Sequence, residues 1–270
     1  MLVTVLGELV EPVGDPVWTA ALLHVLTGMG FEDRAARQAI DRAGDAGWIE
    51  PTRFGRNVRW QLTPAGQKLI ARGTERVQSL STPPPQWDGD WLVLMVTLPG
   101  NRRAVRKRLY AALSWEGFGN PTPGVWLSPH TDRLADASAI IDELDLHDTT
   151  LAFVGPSARI GLDDATIVER AWDLAEVAAS YEQLLSDFSE RRPTSGDGLL
   201  FSHLALVNEW QRFPFLDPQL PDELLGNWIG NRAATLFEQR RAEWTFAARA
   251  RWQEVVAAAE PALGQEGNRV

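Results

Sequence analysis

Arg34 lies three and four residues before Arg37 and Gln38, and Gln38 four before Arg42, the spacing that gathers side chains on one face of a helix. Arg53, Arg56 and Arg59 follow closely. An arginine fork can donate two hydrogen bonds to guanine, and a glutamine amide pairs in the same way with adenine; guanidinium groups also grip phosphate oxygens. The chemistry these residues offer is that of reading a duplex, the first four as base readers and the last three as phosphate contacts. Arg53 to Arg76 carries Arg53, Arg56, Arg59, Lys68, Arg72 and Arg76 against Glu75 alone. Asp41 and Asp45 share the polar arc and face phosphates poorly; Asp41 could accept from cytosine N4 or only trim the surface charge. The bland alternative is a solvated helix face.

Positioning these groups requires a particular order of elements. Val17 to Met29 reads as one amphipathic helix, Gly28-Met29-Gly30 as a break, and Glu32 or Asp33 as the start of a second helix running to Gly47. On that second helix Ala35, Ala36, Ala39, Ile40, Ala43 and Ala46 fall in an apolar arc opposite Arg34, Arg37, Gln38 and Arg42. Trp48-Ile49-Glu50 and Val58 to Leu62 read as strands of a hairpin joined through Arg53-Phe54-Gly55-Arg56, with Val58, Trp60 and Leu62 facing the core and Arg59 turned outward. Thr63-Pro64 supplies a cap with proline at the first helical position. Helix, turn, polar-faced helix, basic hairpin, helix is the layout of a winged helix-turn-helix.

Other chemistry is sparse. There are no cysteines, which excludes thiolate catalysis, disulfide scaffolds and cysteine-ligated metal sites. His24, His130, His147 and His203 are scattered, none at metal-ligand spacing, and read as ordinary surface or helix residues. No G-x-S-x-G, P-loop or HExxH string occurs, so neither catalysis nor a bound metal or cofactor is expected. The basic run holding Arg102, Arg103 and Arg106 could seat the phosphates of a coenzyme A ligand, form a second DNA contact, or simply be a solvated face. Trp172, Trp210, Trp228, Trp244 and Trp252 read mainly as core or dimer packing, with Trp210 and Arg212 as candidates for the lining and mouth of an acyl pocket.

Beyond a proline-rich linker at 81–86, the apolar run Trp91 to Val96 reads as a buried strand and Arg102 to Glu116 as a helix. A strand over Gly124 to Pro129, a helix over Asp132 to Leu144 and a strand over Leu151 to Val154 complete a ferredoxin-like α+β sandwich at 87–160. Helices then follow within 161–260: from Asp163 or Asp164 to Ser189, Leu199 to Arg212, and Asn231 to Ala259, with a frayed tail at 261–270. Phe213 to Pro221 is a rigid apolar interruption in which Asp217 can cap a turn.

The net charge is −10 over 270 residues, yet residues 1 to 80 balance nine Lys/Arg with nine Asp/Glu, leaving the acidic excess to the remainder. One face of the first segment can therefore meet a polyanion while the rest repels it. The longest apolar stretch is too short to span a bilayer and no basic run precedes a long apolar block, so a cytoplasmic location without membrane insertion is expected.

Three motifs carry a family likeness. Gly44-Asp45-Ala46-Gly47-Trp48-Ile49 leads to Gly55-Arg56 and Leu62-Thr63-Pro64-Ala65-Gly66; Trp87-Asp88-Gly89-Asp90-Trp91 opens the middle segment; and Phe213-Pro214-Phe215-Leu216-Asp217-Pro218-Gln219-Leu220-Pro221 runs on to Leu225. With these the chain resembles the PaaX family of bacterial transcriptional regulators over nearly its whole length. The resemblance implies a winged helix-turn-helix at 1–80, a Cas2-like middle domain at 87–160 and a helical effector and dimerisation domain at 161–260. It also implies a ligand-responsive repressor of aromatic catabolism genes that binds double-stranded DNA as a homodimer and is released by an acyl-coenzyme A such as phenylacetyl-coenzyme A. Thr97 stands where a Cas2-type nuclease needs a metal-binding aspartate, so no phosphodiesterase activity is expected. The competing reading is a protein-interaction module or acyl-coenzyme A-handling enzyme in which the winged helix is only structural.

Overall fold

The computed structural model describes residues 1–80, 86–157 and 160–261. The linker expected at 81–86 and the tail at 261–270 lie outside the described residues apart from Gln86 and Pro261. The chain forms two compact units that do not follow its order: Met1–Gln78 with Asp187–Gln211 and Thr235–Val270, and Ser79–Ser186 with Arg212–Ala234.

The first unit opens with α1 (Leu2–Val5), which runs into a single π-helical segment, Leu6–Val10. This stretch was not anticipated as structure. It is nevertheless core: Leu2, Val5, Leu6, Leu9 and Val10 are buried. β1 (Val17–Trp18) precedes α2 (Thr19–Gly28), so the helix expected from Val17 starts two residues later. The reason is pairing: Val17 and Trp18 lie antiparallel to Trp60 and Arg59, and the sheet takes their backbone groups. α3 (Asp33–Asp45) follows, then the hairpin β2 (Ile49–Phe54) and β3 (Asn57–Leu62), then α4 (Pro64–Ser79). The three strands are ordered β1-β3-β2. Helices α2 and α3 both stop on left-handed glycines, Gly30 (φ 90°) and Gly47 (φ 71°), which let the next amide turn back, Phe31 N to Leu26 O and Trp48 N to Ala43 O.

In the second unit β4 (Asp90–Val96) is followed by α5 (Arg103–Trp115), β5 (Gly119–Thr122), β6 (Val125–Ser128), α6 (Leu134–Glu143) and β7 (Thr150–Pro156). The antiparallel order β5-β6-β4-β7 is the ferredoxin-like arrangement, with one strand more than the sequence suggested. That strand, β5, reads Gly-Asn-Pro-Thr and carries none of the β-branched apolar alternation that announces a strand. Leu92, Leu94 and Val96 point to one face, against Leu109 and Leu113 of α5 and Ala137 and Ile141 of α6. Trp91 points to the other and meets Leu127, Val168 and Leu220.

The helix expected from Asp163 to Ser189 is two, α7 (Asp164–Ala171) and α8 (Leu174–Ser189), because Trp172 turns extended (φ −131°, ψ 142°). Its indole hydrogen bonds to Gly117 O at 3.2 Å, a tertiary contact that overrides helical continuity. Asp163 does cap α7, accepting from Thr166 N at 2.9 Å. α9 (Gly196–Trp210), α10 (Asp222–Leu225) and α11 (Ile229–Ala258) complete the chain. No helix among the described residues is long and apolar enough to cross a membrane.

Candidate nucleic-acid interface

The apolar side of α3 is narrower than the wheel suggested: Ala36, Ile40 and Ala43 are buried, while Ala35 and Ala46 are exposed. This anchoring leaves Arg34, Arg37, Gln38, Asp41 and Arg42 in water. Arg37 is held by its own helix, its Nε 2.6 Å from Asp33 Oδ1 and its Nη2 3.3 Å from Oδ2, a bidentate i,i+4 pair that pre-orients the guanidinium. Among the described residues no carboxylate pairs with Arg34, Arg42, Arg53 or Arg56.

The hairpin is longer than expected, its strands closing at the pair Phe54 and Asn57 with Gly55-Arg56 as the loop. Arg53 and Arg56 are exposed at this tip. Arg59 is not a free outward cation: it is half-buried, its Nε donates to Pro16 O at 3.1 Å, and its guanidinium lies 5.6 Å from the centre of the Trp18 ring. The unforeseen β1 explains this, since pairing Trp18 with Arg59 brings the backbone of Pro16 within reach. Lys68 and Arg72, further along α4, are exposed.

Between α2, α3 and the hairpin lies a cleft of about 360 Å³. Trp18, Ile40 and Trp60 reach its floor, Arg37, Asp41 and Arg56 line it, and Ala259 and Pro261 beyond α11 also contribute. The floor is fixed by a relay in which Trp60 Nε1 donates to Thr19 Oγ1 (2.9 Å) and Thr19 Oγ1 donates to Val58 O (3.1 Å).

His24 on α2 and His147 are exposed and His203 lies on helix α9, the surface or helix positions expected, but each has a carboxylate partner that its neighbours in sequence do not announce. His203 is completely buried and its Nε2 lies 3.1 Å from Glu8 Oε2; Arg241 reaches the other oxygen of Glu8 at 3.0 Å. Burial pushes the Glu8 carboxyl up, but the hydrogen bond from His203 and the charge of Arg241 outweigh it and hold it below its ordinary value. His24 meets Asp197 at 3.2 Å, and Asp197 also accepts from Arg251 at 2.8 Å. His147 pairs with Asp142, and His130 faces Pro218 O at 3.3 Å. No group of three or more potential metal ligands occurs among the described residues.

The residues considered for a ligand are divided between the units. Arg102 is half-buried at the start of α5, Arg103 and Arg106 are exposed, and Arg106 donates to Leu98 O at 3.2 Å. Arg212 is exposed in the same unit. Trp210 belongs to the other, is fully buried, and stacks on Phe237 with ring centres 4.6 Å apart, so its ring is committed to the core. An open depression of about 410 Å³ is lined by Asp222, Asn227, Trp228, Asn231 and Arg232.

Three family models match successive parts of the chain: a PaaX-like protein over 1–66, the PaaX protein central Cas2-like domain over 84–167, and a PaaX-like protein C-terminal domain over 172–254. The chain is 29% identical over 242 residues to the transcriptional repressor PaaX of Escherichia coli (strain K12), covering 85% of this chain and 75% of that protein. Its fold is similar to that of the uncharacterized protein Rv0674 from Mycobacterium tuberculosis, with a TM-score of 0.62, 21% identity, and coverage of 93% and 96% of the two chains.

Proposed function

The chain belongs to the PaaX family, whose members are transcriptional repressors and not enzymes, and on that premise we propose that it represses transcription in the cytoplasm by binding a near-palindromic operator through a winged helix-turn-helix at 1–80. In this reading α3 enters the major groove, where Arg34, Arg37, Gln38 and Arg42 meet base edges. Arg53 and Arg56 at the hairpin tip grip flanking phosphates. Arg59 acts from behind, holding the hairpin to β1 as well as adding charge. The observation that carries the proposal is the water-exposed row of cations along α3 and the hairpin tip, free of ion pairs with the rest of the described chain except for the Arg37–Asp33 clamp.

A homodimer suits this chemistry, because two reading helices related by a two-fold axis match two half-sites one helical turn apart. Release by an acyl-coenzyme A, such as phenylacetyl-coenzyme A, completes the proposal, with the helices of 161–260 serving dimerisation and effector response and Arg102, Arg103 and Arg106 offering forks to its phosphates. No resident metal or cofactor is required. Linkage then demands that DNA weaken the acyl-coenzyme A by the factor that the acyl-coenzyme A weakens DNA.

A gel-shift titration with the DNA upstream of the gene tests the reading. A specific shift that weakens with salt and is reversed by phenylacetyl-coenzyme A is expected. No shift at any protein concentration would refute DNA binding, and a shift indifferent to the thioester would refute the effector.

A further inference from the structure

The cleft between α3 and the hairpin combines features that base or phosphate recognition does not need. Its volume of about 360 Å³ falls at the lower end of the range used by small-molecule sites. Its floor is aromatic and aliphatic: Trp18, Trp60 and Ile40 are more than nine-tenths buried yet present edges to it, and Leu23 and Val58, both half-buried, extend the apolar wall. The floor is also rigid, because the Trp60–Thr19–Val58 relay satisfies its polar atoms internally. At the rim stand two guanidinium groups, Arg56 from the hairpin, without an ion pair among the described residues, and Arg37 from α3, whose Nε and Nη2 already meet Asp33; Asp41 is the carboxylate of the lining itself.

Indole and aliphatic edges among polar walls, with two guanidinium groups in the lining, suit a compact molecule that is part apolar and carries one carboxylate. Such a ligand lays its body against the indole edges and sets its charge on Arg56 and on the Nη1 of Arg37 that Asp33 does not engage, where charge-assisted hydrogen bonds form. Asp41 repels the charge from its own side, so the cleft imposes an orientation on the ligand. A neutral molecule of the same shape forgoes the ionic half of the interaction. Coenzyme A itself, with its long phosphorylated arm, is far larger than this volume.

We propose that this cleft is a binding site for a small organic carboxylate, which engages the Arg37 and Arg56 guanidiniums that DNA would otherwise use. The DNA consequence rests on the reading given above; the binding itself does not. A bound acid neutralises part of the exposed cationic row and wedges the hairpin against α3, so acid and operator compete.

The test uses the full chain with three probes: benzoate, hexanoate, and benzyl alcohol as an uncharged counterpart. Calorimetric titration is expected to give saturable binding of the acids at one site per chain, with the alcohol at least about tenfold weaker. Arg56→Gln should weaken the acids by a similar factor. Ala20→Phe, which projects a ring from an exposed helical position of the lining, should abolish acid binding while the operator shift persists. Saturating benzoate should raise the operator Kd of the natural protein and not that of Ala20→Phe. Acid binding unchanged in Ala20→Phe, equal binding of the alcohol, or no saturable acid binding would each overturn the site. Acid binding intact in a protein that shifts no DNA would leave the site standing and sink the DNA reading instead.

Discussion

His203 and Glu8 lie 195 residues apart in sequence and 3.1 Å apart in space, in a pocket where the imidazole has no exposed surface. Arg241 closes the cluster on the other carboxylate oxygen, while His203 Nδ1 has no partner among the described residues. One carboxylate on the π-helical turn thus ties the N-terminal segment to α9 and α11. Thr4 adds a neutral contact beside it, 2.9 Å from Gln211 Oε1.

Removing that carboxylate should be costly and should change the acid response. Glu8→Gln strips the charge from a buried cluster and is expected to destabilise the protein by roughly 3 kcal/mol, the low end for a broken buried pair because Arg241 is one-third exposed. The folded-state pKa of Glu8 is depressed, so its contribution is fully present above the ordinary value of 4.5 and is lost as pH falls through the folded value. Chemical denaturation at a series of pH values should therefore give a shallower acid decline in the variant than in the natural protein. Parallel curves would show that Glu8 ionisation does not support the fold.

Gly66 should not tolerate alanine. Thr63 Oγ1 accepts from Gly66 N at 3.1 Å and donates to Gly47 O at 2.6 Å, which brings the first turn of α4 onto the chain leaving α3. A Cβ on Gly66 would stand 2.1 Å from Trp48 O, a backbone atom that cannot rotate aside. Gly66→Ala is expected to cost about 2 kcal/mol or more through overpacking and to lower Tm; an unchanged Tm would contradict the packing.

Asp217 carries a second testable cluster. It accepts from Tyr181 Oη and Trp228 Nε1, each at 2.8 Å, and from Gln219 N at 2.7 Å. Asp217→Ala leaves these donors without their acceptor and should cost roughly 3 kcal/mol. Burial, with the neighbouring Asp217 carboxylate, pushes the Tyr181 phenol far above its ordinary range. Tyr181→Phe should therefore leave the alkaline tyrosinate absorbance of the folded protein unchanged, and a loss of amplitude would show that Tyr181 ionises in the native state.

The two parts of the proposed DNA face should respond differently. Arg37→Ala is expected to cost on the order of 1 to 3 kcal/mol at one operator position and to relax specificity there, as read by binding to a panel of single-base variants. Arg56→Ala should weaken all sequences alike and reduce the salt slope by about one. If both variants behave identically on every sequence, the assignment of α3 as the reader fails.

The parts of this protein that were legible in its sequence are those whose signals are local. The polar and apolar sides of α3, the cap at Thr63, the strand from Trp91 to Val96 and the cap at Asp163 each depend on neighbours within a few residues. Trp87 to Trp91 proved a local device too: Asp88 accepts from Asp90 N at 3.0 Å while Trp87 Nε1 donates to Asp90 O at 2.7 Å. What escaped is set by distant partners. β1 exists because β3 pairs with it, the helix after Asp163 breaks because Trp172 finds Gly117, and the role of Glu8 depends on residues near the other end of the chain. Arg59 illustrates both sides, its place on β3 legible from strand alternation and its half-buried tether to Pro16 and Trp18 invisible to it.

The three-segment make-up of the first unit also bears on how the unit comes apart. α9 packs on α1 and α2, while Arg241 and Arg251 of α11 fasten Glu8 and Asp197. Excising residues 1–78 therefore strips α1 and α2 of these partners, although α3 keeps its seat on α2 and β2. A proteolytic cut between α4 and α9 is survivable only while the separated segments stay docked, so covalent continuity matters less to this unit than the contacts that bridge its pieces.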